Sequence, residues 1–269
     1  MTGRALGVTF VSFVLSFSLC PAQQTLYSQS LQTTLTAQNP HLEFLLLDLR
    51  THETLANTFA ATPIPVGSLL KPFLALGYAQ AHADAFPTVV CHGHADHCWS
   101  PAGHGPMTLT NAIAQSCNAY FLHLAANLTP AGLASIPYLP SPPNSDPETL
   151  IGLNPVWRIA PATLVAAYAS LLATPGSTQA AILVGMKASA THGTSARIGH
   201  HPGGVLAKTG TAPCVEQPCR ASGDGLVVAA FPATNPTLLL LVRQRATNGA
   251  TAASSAARIL TQLEALHAE

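Results

Sequence analysis

Charge is what this chain has least of. Of its 269 residues, 11 are Lys or Arg and 11 are Asp or Glu, 8% in all, and the two signs cancel at pH 7. Without a basic excess there is no electrostatic footprint for nucleic acid or an anionic surface, so neither is expected as a partner. The scarcity is not that of a disordered polymer, because 48% of the residues are apolar and such a chain can bury a sizeable core. Past the N-terminus no uninterrupted apolar run approaches the roughly 20 residues that a spanning helix needs. There is no internal repeat. One globular domain, built from two lobes, is the expected organisation.

The N-terminus reads as a secretory leader over residues 1–22. Arg4 supplies the positive start, residues 5–19 an apolar stretch, and Cys20-Pro-Ala22 small residues ahead of cleavage before Gln23. The rival readings, a retained anchor or lipidation at Cys20, fit less well, because the apolar run is short and Phe17-Ser-Leu19 is a poor lipidation box. The mature chain, 23–269, is then expected to be secreted or periplasmic, with no membrane span. Six cysteines less Cys20 leave five. In an oxidising compartment the close pairs Cys91 with Cys98 and Cys214 with Cys219 are expected as local disulfides, leaving Cys117 a free thiol packed in the helical lobe. Cys91-His-Gly-His-Ala-Asp-His97-Cys98 offers a zinc alternative, but its spacing matches no closed zinc motif. Neither a metal nor another cofactor is expected.

Residues 24–38 have the scattered apolar positions of a helix. Residues 41–49 read as a buried strand with 54–59 as its hairpin partner. Pro63, Pro65 and Gly67 break the sheet, and a helix follows from about 68 to about 82, with Pro72 tolerable only near its start. Residues 84–106 read as a long loop and 135–158 as an irregular Pro-rich stretch. Helices are expected at 110–115, on through 127, and at 162–173 and 180–189. Strand character returns at 204–211, 225–231 and 237–243, before a last helix at 250–267. This order predicts an α+β fold. A mostly antiparallel sheet joins both chain ends and is flanked by helices, with an inserted all-helical lobe at roughly 68–190. Trp157 is expected in the core, 193–195 as a turn more than a site rim, and the histidines at 92, 94, 200 and 201 in solvated loops.

Three short motifs carry chemistry. Ser68-Leu-Leu-Lys71 puts a hydroxyl and an amine one turn apart at a helix start, where the amine can activate the weak nucleophile if its pKa is lowered. In Ser116-Cys-Asn118 the hydroxyl can relay a proton and the amide can hold a substrate carbonyl. Lys208-Thr-Gly-Thr211, at the end of a strand, sets a positive charge at a cleft. Gly210 admits a second backbone, and the Thr211 N–H can join that of Ser68 as an oxyanion hole. Each motif alone is ordinary. Together, in this order, each lies on the element its chemistry needs.

In these motifs the chain resembles the transpeptidase domain of penicillin-binding proteins, of the serine β-lactamase and D,D-peptidase superfamily. The likeness extends to residues 65–73, 104–121, 159–173 and 207–212, and covers roughly 42–266. It implies a transpeptidase-like catalytic domain acylated at Ser68 by a D-Ala-D-Ala stem peptide of peptidoglycan, or by a β-lactam as covalent inhibitor. Lys71 would be the base, Ser116 the proton shuttle and Asn118 the group that holds the acyl side chain. Lys208 would tune the site, and Thr209, Gly210 and Thr211 would bind the terminal carboxylate. A class D-like β-lactamase is an alternative, but the chain has Asn118 where that class has an apolar residue and lacks its Tyr-Gly-Asn element. A non-catalytic sensor module is a further alternative. Glu148 has the wrong spacing for a class A deacylating Glu, so slow deacylation is expected.

Overall fold

The structure, a computed structural model, describes residues 21–134, 136–215 and 223–268. The expected leader lies outside them but for its last two positions. In chain order the elements are α1 (Pro21–Gln38), β1 (Glu43–Asp48), β2 (Thr54–Asn57), β3 (Ile64–Pro65), α2 (Lys71–His82), β4 (Val89–Cys91) and β5 (Gly105–Met107). Next come α3 (Leu109–Gln115), α4 (Asn118–Ala126), α5 (Pro130–Ala134), α6 (Pro147–Leu150), β6 (Arg158–Ile159), α7 (Pro161–Ala173) and α8 (Ser177–His192). The chain returns to strands in β7 (Leu206–Ala212), β8 (Asp224–Phe231) and β9 (Leu238–Gln244), and closes with α9 (Gly249–Ala268). No helix among the described residues is long and apolar enough to cross a membrane.

Five strands form one antiparallel sheet in the order β2-β1-β9-β8-β7, so the first and last long strands are neighbours. Successive side chains of a strand point to opposite faces. On β1, Leu45 and Leu47 enter the core shared with the helices of the middle of the chain, while Phe44 and Leu46 enter a second core with Leu31 and Leu35 of α1 and Ile259, Leu260 and Leu263 of α9. On β9, Leu239 and Leu241 take the first face and Leu238, Leu240 and Val242 the second. A sheet covered on both faces explains why these strands read as unbroken apolar runs instead of alternating ones. The α+β architecture matches the expectation.

The few charges are used inside this frame. Arg243 on β9 is 2% exposed and lies opposite Glu43 of β1, whose carboxylate it meets at 3.1 Å. Its guanidinium also pairs with Asp224 of β8, itself 7% exposed, so one side chain ties three strands.

Two regions differ from expectation. The long loop at 84–106 contains the β4–β5 hairpin, with Cys91 opposite Gly105. Three-residue strands are too short to leave a periodic signal. The Pro-rich stretch contains α6, capped by Asp146, whose carboxylate accepts the Thr149 N–H at 3.0 Å. His201, expected in solvent, is 4% exposed, because its Nδ1 pairs with Glu264 of α9 at 2.9 Å. Trp157 is in the core, as expected.

Candidate active site

Ser68 does not begin α2. It sits in a 3₁₀ turn, Gly67–Leu70, that feeds into α2 at Lys71. The turn is clamped from below, with Val66, Leu69 and Leu70 buried and the Leu69 carbonyl accepting the Tyr168 hydroxyl at 2.9 Å. It is also pressed against β7. Gly67 has φ +56°, and a Cβ on it would lie 2.6 Å from the Thr211 carbonyl oxygen; a Cβ on Gly210 would lie 2.7 Å from the Val66 carbonyl oxygen. Only glycines allow this approach of turn to strand. The half-buried Ser68 hydroxyl has no hydrogen-bond partner among the described residues.

Lys71 points inward and is fully buried. Its ammonium donates to the Ser116 carbonyl at 2.8 Å and to Asn118 Oδ1 at 2.6 Å. An ammonium has no acceptor, which fixes the amide orientation: the other end of Asn118, Nδ2, donates to the His97 carbonyl at 3.1 Å. Burial pushes the Lys71 amine down to about 7, against the opposing pull of Cys117 and Cys98.

Lys208 reaches the same place from the sheet. It shares the parity of Leu206 and Ala212, so it faces the middle helices, where its ammonium donates to Ser116 Oγ at 2.7 Å and to the Thr209 carbonyl at 2.8 Å. Burial first, and the charge of Lys71 second, hold its pKa well below the lysine range. Ser116 thus receives one lysine on its carbonyl and another on its hydroxyl. It does so in the left-handed region, φ +50°, as the residue that ends α3. A serine held there is strained, and such strain concentrates at sites.

β7 is the edge of the sheet, so its outer backbone groups have no strand partner among the described residues and can take an extended peptide. Thr211 Oγ1 accepts the Gly249 N–H at 3.0 Å and keeps its own proton to donate. Thr209 donates its hydroxyl to Thr194 at 2.6 Å. These groups border a cleft of about 670 Å³ lined by Ser68, Ser116, Asn118, Thr209 and Thr211 together with Trp99, Thr194, Arg197 and Asn248. Of the expected site residues, Ser68, Ser116, Asn118, Thr209 and Thr211 line the cleft, Lys71 and Lys208 are buried behind it with their ammonium groups on Ser116, and Gly210 lies against the Val66 carbonyl. Gly193 and Thr194, read from sequence as a turn, line the cleft while also ending α8, so the turn is the rim. Trp99 and Arg197 carried no sequence signal. Trp99 lies in a loop and Arg197 in the 3₁₀ turn Ala196–Ile198, and only the fold brings these two exposed side chains to the rim of the cleft.

The architecture matches solved structures over most of the chain. The transpeptidase domain of Burkholderia pseudomallei penicillin-binding protein 3 aligns over 91% of this chain and 95% of its own, with TM-score 0.67 and 16% identity. Helicobacter pylori penicillin-binding protein 2, in complex with MreC, gives TM-score 0.75 at 16% identity over 88% of this chain and 63% of its own. The transpeptidase domain of the Legionella pneumophila D,D-transpeptidase FtsI4 gives 0.62 at 17% identity, over 91% and 96%. The fold is that of a penicillin-binding-protein transpeptidase domain. No family model matches the chain, and no curated protein matches it in sequence.

Within this transpeptidase fold one expectation about the cysteines fails. Cys91 and Cys98 are not joined; both are free thiols, as is Cys117, and all three are buried. The α3–α4 junction carries Cys117 into the β4–β5 hairpin, where Cys98 Sγ meets Cys117 Sγ at 3.9 Å and His104 Nδ1 at 3.5 Å. The hydrogen bond between Cys98 and Cys117 is the main cause that draws Cys98 down and pushes Cys117 up. Cys214 is disulfide-bonded. Its expected partner, Cys219, lies outside the described residues.

Proposed function

We propose that the chain is a penicillin-binding serine D,D-peptidase. It acts on D-Ala-D-Ala peptidoglycan stem peptides through an acyl-enzyme at Ser68, as transpeptidase or carboxypeptidase. The observation that carries this reading is the convergence of two buried lysines on Ser116, beside Ser68, in a cleft bordered by an edge strand. Burial favours the neutral amine of Lys71, which can accept the Ser68 proton as Oγ attacks the carbonyl of the penultimate D-Ala. The developing oxyanion takes the backbone N–H groups of Ser68 and Thr211. As the carbon–nitrogen bond breaks, Ser116 Oγ passes its proton to the leaving amine and is reprotonated through the lysine network. Thr211, with Thr209 and its partner Thr194, suits the terminal carboxylate. Asn118, held between Lys71 and the His97 carbonyl, orients Lys71 and offers its edge to the acyl chain. A β-lactam meets the same groups but keeps its leaving group tethered, so its acyl-enzyme persists.

Purified mature protein incubated with a fluorescent penicillin will be labelled stably, and Ser68→Ala will abolish the label. Release of D-Ala from a D-Ala-D-Ala peptide then reports turnover. Rapid catalytic release of the label would instead favour a β-lactamase. A wild-type chain that takes the label stably but frees no D-Ala overturns the proposal in favour of the penicillin-binding sensor module, and one that takes no label sinks it outright.

A further inference from the structure

Beside the cleft, but outside its chemistry, the ligand atoms of Cys91, Cys98, His104 and Cys117 all lie within 4.8 Å of one another. They come from four separate places: the end of β4, the turn after it, the residue before β5, and the junction of α3 and α4. A tetrahedral zinc, with Zn–S about 2.3 Å and Zn–N about 2.0 Å, spaces its sulfurs about 3.8 Å apart and its sulfur–nitrogen pairs about 3.5 Å apart. Here the Cys98–Cys117 sulfurs are 3.9 Å apart, and His104 Nδ1 is 3.5 Å from Cys98 Sγ and 3.6 Å from Cys91 Sγ. A disulfide needs sulfurs about 2.05 Å apart, so this spacing is that of ligands around a common centre and not of a bond. With Nδ1 turned to the sulfurs, and the ring held edge-on to Trp99 at 5.2 Å, His104 is oriented as a ligand.

We propose that Cys91, Cys98, His104 and Cys117 bind one zinc ion in a closed tetrahedral site. Zinc displaces the three thiol protons into solvent, and the neutral imidazole completes the four ligands. With all four positions filled by protein, the ion has no place for substrate and is structural. Its effect on the cleft runs through Cys117, which lies between Ser116 and Asn118. Anchoring that residue fixes the strained Ser116 turn and the amide that holds Lys71. Asn118 also bonds the carbonyl of His97, next to the ligand Cys98, so hairpin and cleft are tied twice. The ligand set escaped sequence reading because its fourth member is hidden inside a motif and its histidine is none of the three between Cys91 and Cys98.

The full mature protein, purified without chelator, will carry one zinc per chain by elemental mass spectrometry. The Cys91→Ser, Cys98→Ser double variant will fall by about tenfold or more. Refilling the stripped wild-type protein with cobalt(II) will give the visible absorption and sulfur-to-metal charge transfer of a tetrahedral thiolate site. That measurement decides even if the variant does not fold. A metal-free wild-type protein without the cobalt band, or a mapped Cys91–Cys98 disulfide, overturns the site. Stripping zinc will slow penicillin labelling about tenfold, and zinc will restore it; unchanged labelling overturns the positioning role. Only this last arm rests on the proposed reaction. Metal content does not, so the two failures are distinguishable.

Discussion

Lys71→Ala will slow acylation by a fluorescent penicillin by about 10²–10⁴-fold, the range set by loss of a positioned general base. The lysine has two jobs, and a second variant separates them. As a donor it braces the Ser116 carbonyl and Asn118. As a base it must be neutral, which burial permits by pushing its pKa down to about 7. Lys71→Arg keeps charge and donors but cannot lose its proton. It will be as slow as the alanine variant, and the charge it cannot shed in this fully buried slot will lower its thermal midpoint. The sign of the pH dependence follows from the lowered pKa. Below pH 7 the amine is charged and cannot accept the Ser68 proton, so the second-order labelling rate of the wild type rises through pH 7 and levels above it. An arginine variant that labels at the wild-type rate, or a rate flat from pH 5.5 to 8.5, removes Lys71 as the base.

The largest effect on stability is expected at Arg243. Surface ion pairs contribute little, but this guanidinium is buried against Asp224 and Glu43 on the two strands beside it. Arg243→Ala leaves Asp224 buried without its cation in the sheet, while the partly exposed Glu43 keeps Arg245 at 3.3 Å. Removing one partner of a buried pair costs about 3–5 kcal/mol. In a domain of this size that lowers the thermal midpoint by on the order of 10 °C. Differential scanning calorimetry tests it, and a shift of only a degree or two would mean that the carboxylates are effectively solvated. Arg243→Met, which fills the space without the charge, leaves the buried Asp224 stranded in the same way and gives little relief.

The order of strands and helices was legible in the sequence because the long elements are strongly apolar and their ends are marked by Pro and Gly. Residues 225–231 and 237–243 were read within a residue of β8 and β9. The three motifs were legible for the same local reason. What escaped depended on contact between distant segments. Nothing about Thr194 shows that it will meet Thr209, and nothing in the spacing of Cys91 and Cys98 shows that Cys117 and His104 will join them in one cluster. Ser116 showed its residue type but not its left-handed backbone, adopted where the chain ends α3 and turns into α4. His201 looked like a loop residue because its partner, Glu264, is 63 positions away.

The place of β9 in the sheet has a consequence for how the chain is made. The strand synthesised last lies in the middle, between β1 and β8. Glu43 and Arg243, which meet across it, are separated by 200 positions. Until β9 leaves the ribosome, the leucine-rich edge of β1 and the facing edge of β8 have no partner, and no smaller sheet satisfies both. Such non-local pairing makes folding slow and leaves sticky edges exposed meanwhile. A chain stopped short of residue 238 would therefore aggregate and not fold in part. The topology keeps this stretch of polypeptide open until β9 has emerged, some 200 positions after the strand it must join.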